Sequence, residues 1–128
     1  MKLILDTHAL LWWWTDDQRL PASARRLISA SENTILVSAA SAWEISTKQR
    51  LGKLDGIPEM NTRFTELVAA DDFRHLPMTH LHSLRAGAFD CAHRDPFDRM
   101  LAAQSMLESA PLLTGDPAFA QFNIQTLW

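Results

Sequence analysis

The sequence predicts an α/β fold with a central parallel sheet. Three observations carry that reading. Short, continuously apolar, β-rich runs alternate with segments of helical periodicity along the chain. The runs are unbroken rather than alternating polar and apolar, as strands covered on both faces require. And 128 residues, 47% of them hydrophobic and 21% charged, suit a single domain over residues 1–128 that buries a core without staples.

Leu3-Ile4-Leu5 reads as the first strand, ended by Asp6, with a short helix over His8 to Trp14. Pro21 opens a helix to about Ala30, placing Ala24, Leu27 and Ile28 on one face. Thr34 to Val37 is the second strand. Ser38 can cap a helix running to about Leu51, where Gly52 stops it. Met60 to Ala70 carries Phe64, Leu67 and Val68 at helical spacing, and Phe73 to Leu76 can form a third strand. Thr79 caps a helix over Leu81 to Phe89. Pro96 to Ser109 is helical, with Phe97, Met100, Leu101 and Gln104 at i, i+3, i+4 and i+7. Leu112-Leu113 and Phe122 to Leu127 complete the strands.

Several function classes lose support at once. The lone Cys91 forms no internal disulfide, which fits a cytoplasmic or a redox-indifferent protein. The longest apolar run, Ala9 to Trp14, is far short of the ~20 residues of a membrane span. A formal charge of −3 argues against whole-surface attraction to nucleic acid, though a metal-carrying nuclease site is compatible with it. There is no Gly-rich nucleotide motif, no HExxH and no GxSxG elbow. The five histidines, His8, His75, His80, His82 and His93, are scattered.

The acids are more informative. Asp6 closes the first strand, Glu44 lies in the second turn after the second strand, and Asp98 lies in the first turn of the Pro96 helix. Asp116 follows Leu112-Leu113 by three residues. In a parallel sheet, strand ends and the starts of following helices share one edge, where ligands bind. The four carboxylates are therefore expected to converge there. Such a group repels itself unless a cation compensates. Oxygen ligands select Mg²⁺ or Mn²⁺ over zinc. Four acids can serve two ions about 3.5–4 Å apart, the spacing for in-line phosphoryl displacement.

Each acid also has a plain structural role. In HRDPFDRMLAAQ, His93 to Gln104, either Asp95 caps the helix and leaves Asp98 free for metal, or Asp95 is the ligand and Asp98 complements the helix dipole. Asp116 precedes Pro117 as a cap would, and Asp6 can close an Asx-turn. Lys48, one turn after Glu44, either pairs with it at the surface, or balances the acid cluster or grips a phosphate backbone. Arg99 either contacts phosphate or pairs with a neighbouring acid on the outer helix face. Trp12-Trp13-Trp14 cannot all face one core, since successive helical residues point about 100° apart. At least one is expected to be exposed or at an interface, as a protein contact or stacked on nucleic-acid bases.

Taken together, LILDTHALLWW, SAWEISTKQRLGKL, HRDPFDRMLAAQ and LLTGD resemble, in order and spacing, the PIN-domain ribonucleases, above all the VapC toxins of bacterial type II toxin–antitoxin systems. The likeness spans nearly the whole chain. It implies a single PIN-like domain, three-layer α/β/α with a sheet of about five strands, and Mg²⁺- or Mn²⁺-dependent cleavage of RNA. The family's acidic quartet falls on Asp6, Glu44, Asp98 and Asp116. Asp95 matches the extra aspartate of the DPFDR segment, and Thr114 the small hydroxyl residue supporting the site. Thr7, next to the first acid, is placed to bond a metal water. The resemblance further implies a homodimer and a cognate antitoxin that covers the site with a basic side chain. The segment from Ala86 to Cys91 follows the family less closely.

Two other readings compete. One is a metal-dependent phosphatase or phosphoryl-accepting domain with Asp6 as nucleophile, though such a phosphatase wants a second aspartate where His8 stands. The other is a non-catalytic protein-binding module whose acids are only caps.

Overall fold

The structure, a computed structural model, describes residues 1–128. Five parallel strands form one sheet in the order β3-β2-β1-β4-β5: β1 (Lys2–Leu5), β2 (Thr34–Ser38), β3 (Arg74–Leu76), β4 (Leu112–Leu113) and β5 (Thr126–Leu127). Parallel neighbours need crossovers, and helices supply them. These are α1 (Thr7–Trp14), α2 (Ala22–Ser29), α3 (Ala39–Arg50), α4 (Met60–Ala70), α5 (His80–Ala88) and α6 (Pro96–Leu107), with a 3-10 helix at Pro117–Phe122.

Successive strand residues feed opposite faces, so the unbroken apolar runs build two cores. Leu3, Leu5, Ile35, Val37 and Leu113 pack under α1, α2, α3 and α4. Ile4, Leu36, Leu76 and Leu112 pack under α6 and the 3-10 helix, against Leu101, Ala102, Phe119 and Phe122. The result is the three-layer α/β/α arrangement the sequence predicts.

Local chemistry sets the element ends. Asp6, Ser38, Thr79, Asp95 and Asp116 each cap a helix with a side-chain oxygen. Gly52, at φ +70°, ends α3, where Lys53 N–H donates to Lys48 C=O at 2.9 Å. One expected strand is much shorter than predicted. Phe122 belongs to the 3-10 helix that Asp116-Pro117 starts, and Asn123 turns the chain at φ +55°. Only Thr126 and Leu127 of that stretch pair with β4. No helix is long and apolar enough to cross a membrane.

The sheet has a switch point. From β1 the chain winds outward through β2 to β3, then returns to the other side of β1 as β4. Crevices at such reversals, beyond the strands' carboxyl ends, are where open α/β sheets bind ligands. Asp6 and Asp116 lie there.

Candidate active site

Asp6 follows β1 directly and is 4% exposed. Register places Leu5 beside Leu113, so the next residues on each strand, Asp6 and Thr114, meet. The Thr114 hydroxyl donates to Asp6 Oδ2, and Ala9 N–H donates to Oδ1 at 2.7 Å. Thr114 Oγ1 in turn accepts from Asp116 N–H at 3.1 Å. Burial pushes the Asp6 carboxyl above its usual range against these donors, and the charge of Asp116 adds to the push.

Glu44 is equally buried, on the inner side of α3. Its Oε2 takes the Lys48 ammonium at 2.6 Å. Asp95 accepts from the N–H groups of Phe97 and Asp98, at 2.9 and 3.1 Å, as the cap of α6. Asp98, one turn in, is held at about 6, first by burial and then by the charges of Asp95 and Glu44. His93 Nε2, 2.8 Å from Asp98 Oδ2, works in the opposite direction.

The acids thus fall into two electrostatically linked pairs at the carboxyl edge, Asp6 with Asp116 and Glu44 with Asp98. Between the two helices that carry Asp6's neighbour and Glu44, Thr7 and Ser41 share a 3.0 Å hydrogen bond. No group of three or more Asp, Glu, His or Cys side chains is gathered tightly enough to cage an ion. That differs from the tighter quartet the sequence suggests.

A family model for the PIN domain matches residues 3–124. The chain belongs to the PIN domain family. Solved structures of similar fold include a chain of VapBC2 from Rickettsia felis bound to a DNA fragment from its promoter, with 15% identity and a TM-score of 0.72 over 99% of this chain and 98% of that one. Another is FitAB bound to the IR36 DNA fragment, at 18% and 0.67, covering 98% and 93%. A third is FitAcB from Neisseria gonorrhoeae, at 17% and 0.70, covering 98% and 96%. At these identities the likeness is one of fold. No curated protein matches the chain.

Other residues in this PIN domain take places the sequence does not disclose. Arg99 pairs with no acid. Its guanidinium donates to the backbone carbonyls of Ala86, Phe89 and His93 at 2.8, 2.6 and 2.8 Å, clamping the segment ahead of α6. His93 reaches Asp98 because that clamp folds the segment back over the helix start. The three tryptophans are all half-buried, none fully exposed. Trp13 and Trp14 both donate their indole N–H to Asp71, at 3.2 and 3.0 Å. Trp12 turns the other way, toward the Asp6 end, beside His8, Arg19 and Trp128. Arg19 and Trp128 are the residues that sequence reasoning misses. The only signal for them is a guanidinium and an aromatic ring, common surface residues until the fold brings them together.

The donor set suits a hard divalent cation. All four candidates are carboxylates, and two of them, Asp6 and Asp98, are held above their usual range by burial and by a neighbouring acid. Mg²⁺ commonly uses only one or two carboxylates and fills the rest with water and phosphate oxygens, so paired acids meet its needs.

Proposed function

We propose that this protein is a Mg²⁺- or Mn²⁺-dependent endoribonuclease acting as the toxin of a type II toxin–antitoxin pair. The observation that carries the reading is the burial of Asp6 and the partial burial of Asp98 at the carboxyl edge of a PIN-domain sheet, each beside a second acid. Two like charges are placed together there at a cost to the fold, which a divalent cation would relieve. Asp6, Glu44, Asp98 and Asp116 would hold it. When bound, it would supply a nucleophilic water at neutral pH and stabilise the leaving oxygen of the phosphodiester.

The chain's own groups set the stage for that chemistry. Thr114 and the Ala9 N–H fix the Asp6 carboxylate from both oxygens, which suits it to a ligand's role and poorly to a nucleophile's. Asp95 caps α6, so Asp98 is not needed as the cap and faces the edge with His93 on one oxygen. Lys48 balances Glu44 and can swing to an RNA phosphate, since a third of its side chain is exposed.

A partner protein and a second copy belong to the same reading. Around α5, Leu81, Leu84 and Met78 are exposed, and Trp43 stands out beside Phe97. Such a patch on a small domain favours protein contact. The relatives in fold that bear the VapBC2 and FitAB names are described as bound to DNA fragments, in one case from their own promoter, which supports a promoter-binding partner protein here. Action in the cytoplasm goes with that role.

The test is cleavage of single-stranded and structured RNAs with Mg²⁺, Mn²⁺ or chelator. Asp98→Asn, with folding checked by circular dichroism, is expected to abolish cleavage, as is chelation. Full activity in either case overturns the proposal.

A further inference from the structure

Two tryptophans, Trp12 and Trp128, border the Asp6–Asp116 pair, and Trp12 reaches it while also packing on the core as Trp13 and Trp14 do. A cavity of about 500 Å³, within the range of ligand clefts, is lined by Asp6, His8, Trp12, Arg19, Asp116 and Trp128. It adjoins a second cleft of about 460 Å³ that shares His8, Trp12 and Arg19 and continues past Lys53, with Asp17, paired to Arg19 at 2.8 Å, and Asp55 also on its walls. The rings of Trp12 and Trp128 lie 6.0 Å apart at 57°, and the Arg19 guanidinium stands 4.9 Å from the centre of Trp12. The indole N–H groups of Trp13 and Trp14 are spent on Asp71, whereas those of Trp12 and Trp128 make no hydrogen bond within the protein. The Trp128 ring is seated across Gly115. A Cβ at Gly115 would come within 2.5 Å of Trp128 Cε2, so glycine is what lets the indole reach the acid that follows it.

Aromatic faces with an arginine plane and a lysine further along a groove are what an unpaired nucleic-acid strand uses: bases stack, phosphates follow the cations. We infer that Trp12 and Trp128, with Arg19, form a subsite that stacks an unpaired base of the RNA strand next to the phosphodiester presented to Asp6 and Asp116. The inference rests on the ribonuclease reading. It adds that the substrate is single-stranded at this position.

The probe is a fluorescein-labelled single-stranded RNA 12-mer, and a set in which one nucleotide at a time is abasic. Affinity is read by anisotropy with Mg²⁺ in the Asp98→Asn protein, so that the RNA stays intact. One or two adjacent abasic positions are expected to weaken binding about tenfold. Trp128→Ala is expected to lose about tenfold on the intact RNA and to become indifferent to those same abasic positions. Trp128→Phe restores both affinity and sensitivity. Gly115→Ala, which displaces the indole without removing it, behaves as Trp128→Ala does and serves if that variant folds poorly. Affinity within twofold of the parent, with abasic sensitivity kept, overturns the inference and leaves the aromatic pair to protein contact. RNA that the unsubstituted protein cleaves but that shows no abasic-sensitive position overturns the subsite alone. RNA neither bound nor cleaved overturns the subsite and the ribonuclease reading together.

Discussion

Replacing Asp98 with asparagine is expected to stabilise the metal-free protein at neutral pH while abolishing its activity. Asp98 is held at about 6 against an ordinary 3.8. A carboxyl raised in the folded state gives stability that is full below 3.8 and is lost as the pH climbs through 6. The interval corresponds to about 3 kcal/mol at about 1.4 kcal/mol per pH unit. A fifth of the side chain is exposed, so solvent screening brings the figure down to about 2 kcal/mol. Asparagine keeps the shape and carries no charge at any pH. At pH 7.5 in chelator, Asp98→Asn should therefore melt about 7 °C above the unsubstituted protein, using an unfolding entropy typical of 128 residues. At pH 4 the two should melt within about 2 °C of each other, on the same scale. Millimolar Mn²⁺ at pH 7.5 should raise the melting temperature of the unsubstituted protein by mass action and close the gap. The assay is circular dichroism at 222 nm against temperature, at four or five pH values. A variant that melts no higher at pH 7.5, or whose advantage is the same at pH 4, refutes the electrostatic account of this site.

Three further substitutions test the surroundings. Lys48→Met leaves the buried Glu44 without its cation and should cost about 1–3 kcal/mol by urea melts, a loss that added Mg²⁺ or Mn²⁺ partly recovers. Thr114→Val removes the hydroxyl donor to Asp6 and should cost about 1.5–3 kcal/mol at pH 7.5, less under acid conditions that protonate Asp6 in both proteins. A cost that stays constant with pH would mean Thr114 acts only by packing. Arg99→Met releases the carbonyls of Ala86, Phe89 and His93. It should cost about 2–3 kcal/mol and open the chain between Gly87 and Arg94 to limited proteolysis, whereas an intact proteolytic pattern would count against the clamp.

Much of this is legible in the sequence because it is decided locally. Short apolar runs rich in β-branched residues or leucine suit strands buried on both faces, and Ser38, Thr79, Asp95 and Asp116 cap the helices that their side chains suggest. The acids' common edge follows from parallel topology without any coordinates. The remainder depends on contacts between distant segments. Thr114 donates to Asp6 across 108 residues of sequence, and its role follows from strand register, which no local pattern reveals. Phe122 reads as a strand residue by its own propensity, but Asp116-Pro117 starts a 3-10 helix that captures it. Arg99 carries a charge, which directs attention to acids and phosphates, while the structure uses its five N–H donors on carbonyls. Trp128 lies thirteen residues beyond Gly115, and only the fold lays one over the other.

The pairing of Trp13 and Trp14 with Asp71 has a consequence at the opposite end of their helix. An eight-residue helix is only about 12 Å long. Its first turn is pinned by Asp6 through Ala9, and its last by two indoles on one oxygen at the end of α4. Held like an axle in two bearings, α1 has no free rotation left. Anything that shifts α4 twists the mount on which the first acid and Trp12 are aimed, so a surface far from the carboxyl edge has mechanical leverage over it.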